Sequence, residues 1–453
     1  MAVAPPALEE RANPALPRFA RGPKPARRVE LWLLVFTSLL TLAFYVLSNL
    51  GAKGALPAHV GAFLGLVLGL AMVVHLVNRW LVPMANPALL PIASFLNGVG
   101  YVVISRWNPQ RAQLQAGWTA IGVLGYIVTL LLLRRSRDLD RYRYFLLIIA
   151  IGLLLAPLLP GIGRTVNGAR LWIGVGPITF QPIEIAKLLL VIFFASYFSD
   201  KKELLSTPSV RVGDRLVIDP RPLMPILLMW GFAMAIIGSE NDIGFAMLLF
   251  TIFIVMLWLA TGRKRYLIGG FGLFAIGAVI AAQLFHQVHV RVSIWLNPWS
   301  PRWIDGQGAQ LAYGWFAMAN GGVGGTGLGL GKVSGLVPEI SSDMILSAIG
   351  EELGLLGAAA VVVAFALLVG SGFRIAQSAR SDFARLTAAG LTTVVGFQAF
   401  FIMAGVLRIL PLTGITLPFV AYGGSSLVAN YILLAILMRV SNESAETNAL
   451  RRR

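Results

Sequence analysis

Four carboxylates lie close together in the stretch PEISSDMILSAIGEELG, residues 338–354, beside a long apolar run: Glu339, Asp343, Glu351 and Glu352. Aspartate and glutamate side chains can accept or release a proton during a reaction, which suits general acid–base chemistry. An ionisable group inside a bilayer costs at least ~2.5–3.5 kcal/mol, so such residues usually have a function. Asp343 lies where the apolar run begins, at the mouth of a predicted span.

A second polar pair, Glu184 and Lys187, lies within another apolar run. Three residues apart on a helix, the two side chains share one face and can form an ion pair. The pair either only docks two helices or also shapes a polar cavity. Because a buried ion pair seldom adds stability by itself, the sequence favours the cavity.

Further charged and aromatic residues adjoin the apolar runs. Asp242 begins one run, where it can cap a helix or line the cavity. The other candidates surround these runs on the predicted outer side: Arg164, Arg170, Trp172, Arg291 and Lys332. Cations and a carboxylate beside an apolar groove suit an amphiphile with a phosphate head group.

The composition indicates a membrane protein. Of 453 residues, 57% are hydrophobic and 13% are charged, and the mean hydropathy is +0.77. Apolar runs of about 20 residues, long enough to cross a hydrocarbon core, recur along the chain. The absence of cysteine excludes disulfides, thiol catalysis and cysteine-based metal sites.

Twelve transmembrane spans are predicted, so the fold class is all-α, a polytopic helical membrane protein. Their approximate ranges are 31–50, 58–82, 87–105, 114–133, 144–161, 181–199, 222–239, 242–261, 266–286, 343–372, 386–408 and 417–438. We predict a basic, Pro-rich cytoplasmic tail at 1–30, a single transmembrane domain at 31–440 and a second cytoplasmic tail at 441–453.

The distribution of positive charge predicts the orientation. With both termini inside, 27 of the 37 Lys and Arg residues fall on the inner side and nine on the outer side, as the positive-inside rule requires. The net charge of +17 is scattered over short inner loops. We therefore attribute it to orientation and contact with anionic lipid, and expect no nucleic acid partner.

The longest predicted outer loop, residues 287–342, contains four tryptophans and a glycine-rich stretch. Tryptophan is enriched at membrane interfaces, so this loop can lie at the interface. The stretch GGVGGTGLGLGKVSG is either a flexible hinge or a backbone that approaches a ligand closely, with its amides facing phosphate.

Five stretches together resemble the SEDS family, the RodA and FtsW proteins. They read VNGARLWIGVGPITFQPIEIAKLLLVIFFASY, ENDIGFAMLLF, GGVGGTGLGLG, PEISSDMILSAIGEELGLLG and LPFVAYGGSSLVANYILLAILMRVS, and they match in order from about residue 160 to 440. The segment NPALLPIASFLNGVGYVVISR resembles the longer actinobacterial RodA-like members. The resemblance implies a core of ten spans, to which this chain adds two at its N-terminal side.

The resemblance also implies a function. Members of the family are peptidoglycan glycosyltransferases, which polymerise lipid II at the outer face of the bacterial cytoplasmic membrane, for cell elongation or division, together with a class B penicillin-binding protein. Asp343 would be the catalytic base. A glutamate that the family often has eight residues earlier is Gly335 here, so its role is absent or falls to Glu339.

The leaving diphosphate would need positive charge, from Arg170, Arg291 or Lys332, and a divalent cation such as Mg²⁺ or Mn²⁺ is left open. Two other functions also fit an amphiphile groove: a lipid II flippase, and a non-catalytic scaffold of the elongation or division machinery. A flippase favours ionisable groups near the midplane, where Glu351 and Glu352 are the best candidates. A scaffold predicts that Asp343 is dispensable.

The predicted orientation can be tested with single cysteines, because the chain has none of its own. With any outer envelope made permeable, a membrane-impermeant thiol reagent should label Ser300→Cys and spare Ser206→Cys in intact cells. Labelling after lysis controls for the accessibility of each thiol. The reverse pattern would place Asp343 on the inner side.

Overall fold

The computed structural model describes residues 24–57, 60–166, 169–175, 178–207, 210–212, 215–217, 221–240 and 242–451. Over these residues the chain is mainly helical, which confirms the predicted all-α class. Most of the predicted N-terminal tail, residues 1–23, lies outside the described part. The last residues of that predicted tail already belong to the first helix.

Fifteen α-helices and five short strands are described. The helices are α1 (Lys24–Lys53), α2 (Val60–Leu81), α3 (Leu89–Trp107), α4 (Pro109–Leu132), α5 (Ser136–Arg141), α6 (Arg143–Leu155), α7 (Ile183–Ser206), α8 (Met224–Ser239), α9 (Ile243–Thr261), α10 (Lys264–Leu284), α11 (His286–Leu296), α12 (Ala309–Gly321), α13 (Ile345–Ser378), α14 (Asp382–Val406) and α15 (Gly424–Arg451). The strands are β1 (Gly163–Val166), β2 (Ala169–Val175), β3 (Ile178–Phe180), β4 (Val210–Val212) and β5 (Arg215–Val217).

Each of the twelve predicted spans coincides with a helix, and ten helices are long and apolar enough to cross a membrane. The protein is therefore a multi-pass membrane protein. The other two helices meet that standard less well, because α6 is short and α7 carries several charges. The last helix begins at Gly424, after Pro418 and Gly423, and continues to Arg451 through the predicted tail.

Two helices form the centre of the bundle. About four fifths of the apolar stretch of α14 and of α15 is buried, whereas only 6% of that of α10 is buried. Helix α15 packs along α4, and α14 packs against α7, α9 and α13. Helix α10 therefore presents almost all of its apolar surface outward, as expected of a helix that faces lipid.

A buried polar network joins the first two helices to the bundle. Glu30 is fully buried and accepts hydrogen bonds from Arg27, from His75 Nδ1 (2.9 Å) and from Asn78 Nδ2 (3.4 Å). The Tyr126 hydroxyl donates to Asn78 Oδ1 at 2.5 Å. Because the carboxylate is surrounded by donors on α1 and α2, and α4 joins through Tyr126, removing any one donor would leave a buried charge less well satisfied.

Two β-hairpin regions interrupt the helices, where the sequence predicted only loops. Strands β1, β2 and β3 form an antiparallel sheet between α6 and α7, in which Arg164 pairs with Trp172. Strands β4 and β5 pair in the predicted inner loop at 201–221. Both sheets are small, so the fold class is unchanged.

The loop at 287–342 is folded rather than extended, because it contains α11, α12 and a 3₁₀ turn at Val333–Leu336. The indole N–H of Trp295 donates to the Arg408 carbonyl (3.1 Å), and that of Trp315 to the Val406 carbonyl (2.8 Å). These two tryptophans thus attach the loop to the end of α14. Trp299 is 48% exposed and remains available to the membrane interface.

A break at Gly354 divides α13. Its φ of 67° and ψ of −166° fall in a region that only glycine populates well. The amides of Leu355 and Leu356 bond instead to the carbonyls of Gly322 and Val323, at 2.9 and 3.2 Å. The glycine-rich segment thus replaces helical hydrogen bonds that the break removes.

Replacement of Gly354 should therefore destabilise the protein. In Gly354→Ala the backbone conformation alone costs about 1–3 kcal/mol, and the new Cβ would lie 2.3 Å from the Gly325 nitrogen. Gly370→Ala is the matched control on the same helix, because nothing lies within 4 Å of its Cβ. We expect a lower thermal unfolding midpoint for the first variant only; equal midpoints would contradict the assigned break.

Candidate active site

Asp343 lies two residues before α13, in a tight turn that follows the 3₁₀ turn. Glu339 has a φ of 52°, and its carbonyl accepts the amides of Ser342 (3.1 Å) and Met344 (3.3 Å). The Ser341 carbonyl accepts the amide of Tyr422 at 2.8 Å, which ties the turn to the segment before α15. Asp343 is half-buried, and its carboxylate forms no hydrogen bond with any described residue.

Arg111 holds the turn from the first helical turn of α4. One of its guanidinium nitrogens donates to Glu339 Oε2 (3.0 Å) and to Ser341 Oγ (2.7 Å). The guanidinium also lies 5.3 Å from the centre of the Tyr422 ring. From the sequence, Arg111 was expected only to be one of the outer charges, not a site residue. Its place at the start of a span, directly after the helix-starting NPQ, was the available signal.

Arg291 of α11 occupies the other side of the site. It donates to the Thr413 carbonyl (2.7 Å) and the Leu412 carbonyl (3.4 Å), which fixes its guanidinium beside the segment after α14. Burial raises the pKa of both Asp343 and Asp242, and the positive charge of Arg291 opposes that rise. Arg291 therefore lies near both carboxylates, as a site for a phosphorylated ligand requires.

The electrostatics suit a base at Asp343. Burial raises the pKa of Asp343 to about 6, Glu339 adds to the rise, and Arg291 and Arg111 oppose it. Burial also raises the pKa of Glu339, but hydrogen bonds from Arg111 and Ser342 outweigh it and leave that pKa lowered. At neutral pH both groups are ionised, and Asp343 is the better proton acceptor of the two.

Asp242 caps α9 and also belongs to the charged cluster. Its Oδ1 accepts the amide of Phe245 at 3.0 Å. Burial raises the pKa of Asp242 to about 6, the Phe245 amide and Arg291 lower it, and Glu184 raises it. The neighbouring Glu240 has a pKa raised to about 8, by burial and by Asp242. Asp242 can therefore cap α9 and also line the polar cavity, so the two roles considered from the sequence are compatible.

Glu184 and Lys187 form a buried ion pair on α7. Lys187 Nζ also donates to Gln398 Oε1 (2.7 Å) on α14 and lies 5.3 Å from the Phe245 ring on α9. Gln398 Nε2 donates to the Thr416 carbonyl at 2.9 Å. The pair thus joins three helices to the segment before α15, and Lys187 borders an apolar cleft between α7 and α9.

The β1–β3 sheet carries three predicted binding residues, Arg164, Arg170 and Trp172. Arg170 donates to the Leu159 carbonyl at 2.9 Å, and the Arg164 guanidinium packs over Gly174. Within the described residues, neither Arg170 nor Trp172 forms a hydrogen bond or ion pair with Asp343 or Glu339. A role in binding would therefore require a ligand long enough to reach both places.

The glycine-rich segment attaches to the two deeper acids. Glu351 accepts the amides of Lys332 (2.9 Å), Val333 (2.9 Å) and Ser334 (2.7 Å). Glu352 accepts the amide of Gly329 at 3.1 Å. Of the two interpretations left open for this segment, amides that face phosphate do not apply to these four amides, because carboxylates of α13 already accept them.

The Lys332 side chain is exposed and contacts none of the residues around Asp343 in the described part of the chain. A metal site finds no support either. Among the described residues, no three His, Asp or Glu side chains are grouped closely enough to hold an ion.

Comparisons with known proteins agree with the motifs. The FTSW_RODA_SPOVE family, described as "Cell cycle protein", matches residues 110–446. The peptidoglycan glycosyltransferase RodA of Mycobacterium tuberculosis is 37% identical over 432 residues, which cover 93% of this chain and 92% of that protein. The probable peptidoglycan glycosyltransferase FtsW of Geobacter sulfurreducens is 34% identical over 327 residues, covering 70% of this chain and 83% of that protein.

A solved structure shares the fold. In a peptidoglycan synthase complex that coordinates polymerization and crosslinking, one chain aligns with a TM-score of 0.63 at 24% identity, over 80% of this chain and 98% of that one. The family match begins at residue 110, so α1, α2 and α3 lie outside it.

The buried ion pair of Glu184 and Lys187 predicts that the stability effects of replacing the two residues are strongly coupled. Glu184→Ala and Lys187→Ala should each lower the free energy of unfolding by ~3–5 kcal/mol, because each leaves a buried charge unpaired. The double variant should lose less than the sum of the two. Purified proteins in thermal or denaturant unfolding give the measurement.

The pair Lys202–Asp382 is the control, because it is similarly close (3.0 Å) but more than a third exposed. Alanine there should change stability by less than about 1 kcal/mol. Strictly additive losses at Glu184 and Lys187 would argue against direct pairing.

Proposed function

This chain belongs to the FtsW, RodA and SpoVE family of cell cycle proteins, and on that premise we propose that it is a peptidoglycan glycosyltransferase. It polymerises lipid II into glycan strands at the outer face of the bacterial cytoplasmic membrane. The observation that carries the proposal is the Asp343 carboxylate, which is half-buried, forms no hydrogen bond with a described residue and lies under the influence of Arg111 and Arg291.

The reaction needs one base. The 4-hydroxyl of a GlcNAc attacks the anomeric carbon of a MurNAc, a new C–O bond forms, and the bond to undecaprenyl diphosphate breaks. Asp343 accepts the proton of the attacking hydroxyl. Attack on an α-linked donor gives a β-linked product, so the configuration inverts. A carboxylate with a pKa near 6 suits this role, because it is ionised at neutral pH yet more basic than an exposed aspartate.

The departing diphosphate requires fixed positive charge. Arg291 is oriented by the carbonyls of Leu412 and Thr413, and Arg111 by Glu339 and Ser341. We propose that these two arginines bind the departing diphosphate and stabilise its negative charge. Of the cations inferred from the sequence, Arg291 keeps this role, whereas Arg170 and Lys332 lie outside the cluster.

The orientation follows from charge and from the positions of the cluster. Arg111, Asp242 and Asp343 all lie at the N-terminal ends of their helices, α4, α9 and α13. With the N-terminus inside the cell, α4, α9 and α13 are the fourth, eighth and tenth of the twelve spans, so each begins on the outer side. The excess of Lys and Arg in the opposite loops supports this orientation in the cytoplasmic membrane.

We further propose that the partner is a class B penicillin-binding protein, which crosslinks the strands as they form. The solved complex with the same fold, which coordinates polymerization and crosslinking, supports a pairing of this kind. The membrane lipids that surround the apolar helices complete the set of partners.

The geometry favours transfer over lipid II flipping. A flippase would need free ionisable groups near the midplane. Glu351 and Glu352 were the best candidates, but backbone amides of the glycine-rich segment occupy them. The unpartnered carboxylate lies instead at a helix entrance.

Replacement of Asp343 tests the enzymatic proposal directly. Asp343→Asn keeps the side-chain volume but removes the base, and we expect glycan polymerisation from lipid II to fall by at least ~10²–10⁴-fold. Asp382→Asn, an exposed carboxylate at the start of α14, is the control and should retain activity. A fully active Asp343→Asn would favour a scaffold, provided that both variants are folded and inserted.

The pH profile gives a second test. Polymerisation should decline as the pH falls through about 6, because Asp343 becomes protonated. Glu339→Gln should move this decline to lower pH, since it removes a negative charge that raises the Asp343 pKa and releases Arg111 from its ion pair. The measurement is kcat/KM against pH for both proteins. A decline that stays in place or moves to higher pH would contradict the assignment.

A further inference from the structure

A pocket lies between α1, α2, α3, α4 and α15. The space that a water-sized sphere can reach inside it is about 90 Å³, which has room for several water molecules or for the polar head of a lipid. Its walls include α1, α2 and α3, which lie outside the residues that the family match covers. None of the residues that line the candidate active site lines this pocket.

The lining is mostly apolar and carries no Asp, Glu, Lys, Arg or His. Helix α2 contributes a nearly continuous apolar wall of Phe63, Leu66, Val67, Leu70, Ala71 and Val74. A charged head group would find no counter-charge here, and burying an unpaired charge is strongly unfavourable. The occupant is therefore neutral.

One polar side chain in the pocket is left without a partner. Asn97 is buried, with 9% of its surface exposed, and its Nδ2 donates to Thr119 Oγ1 and to the Tyr431 hydroxyl oxygen, both at 3.2 Å. Its Oδ1 has no hydrogen-bond donor among the described residues. The hydroxyls of Ser38 and Ser94 also line the pocket, and neither bonds to a described residue.

The depth of Asn97 in the membrane limits which ligands can donate a hydrogen bond to its Oδ1. The residue is ninth of the 19 in α3, so it lies near the middle of that span. A phospholipid whose head stays at the surface cannot reach this depth with its polar group. A ligand must instead carry an uncharged donor into the hydrocarbon region, where an unsatisfied amide oxygen is costly.

We propose that this pocket binds a neutral lipid whose head is a hydroxyl group, such as a long-chain alcohol or a diacylglycerol. The ligand hydroxyl donates to Asn97 Oδ1, and the Tyr431 hydroxyl, which already accepts from Asn97, donates to the ligand oxygen. The hydrocarbon chain packs against the apolar wall of α2. The inference is independent of the proposed glycosyl transfer, because the two sites share no residue.

The test uses the full-length protein in lipid nanodiscs and a hexadecanol that carries a photoactivatable diazirine. We expect crosslinks to peptides of α2 and α3. Unlabelled hexadecanol or dioleoylglycerol should compete, and which of the two competes better distinguishes the natural source. Equal competition by hexadecane or by hexadecyl phosphate would overturn the proposal, because neither has a neutral hydroxyl head.

Two variants alter the pocket in different ways. Asn97→Leu removes the acceptor, and Ala116→Phe fills the space without removing a polar group; each should reduce labelling about three- to tenfold or more. Asn430→Leu is the matched control, because its Oδ1 is also buried and unpartnered but does not line the pocket. Thermal unfolding midpoints identify any variant that fails to fold.

Labelling of folded Asn97→Leu and Ala116→Phe at the level of the control would show that the probe binds outside the pocket, and would overturn the proposal.

Discussion

A charge in the apolar part of this protein must have a partner, because hydrocarbon offers it none. The structure satisfies this constraint almost everywhere. Glu30 is surrounded by donors from α1 and α2, Glu184 pairs with Lys187, and Glu351 collects three backbone amides. Asp343 and Glu240 differ, since neither carboxylate has a hydrogen-bond partner among the described residues, and of these two only Asp343 is under the influence of two arginines. A carboxylate kept unpartnered at a helix entrance is available to a substrate, which is why it identifies the site.

The two deeper acids, Glu351 and Glu352, support Asp343 by fixing the backbone that leads to it. Glu351 and Glu352 hold the glycine-rich segment against the broken helix α13, and the amides of Leu355 and Leu356 bond back to the same segment. This segment leads through the 3₁₀ turn directly to Glu339 and the turn that presents Asp343. The four acids of residues 338–354 therefore have separate roles. Glu351 and Glu352 fix the backbone, whereas Glu339 and Asp343 belong to the proposed reaction site.

The sequence predicted the features that depend on composition and local spacing. Run length located every span as a helix, and Asp343 stood out as an acid at the start of an apolar run. Its role as the base came from the family resemblance. The missed features depend on contacts between distant parts of the chain. Arg111 reaches Glu339 across 228 positions, and the amides at 332–334 meet a carboxylate on another element. The β1–β3 sheet was also missed, because short strands next to a helix start give little periodic signal.

The central claim is that the outer cluster transfers a sugar and does not move a lipid across the membrane. The most direct measurement uses purified protein in sealed vesicles, with fluorescent lipid II added from outside and both products followed in the same sample. The account predicts glycan strands from the protein molecules whose Asp343 side faces outward, with lipid II remaining in the outer leaflet. Transfer of lipid II to the inner leaflet without any glycan, with the partner transpeptidase present or absent, would contradict it.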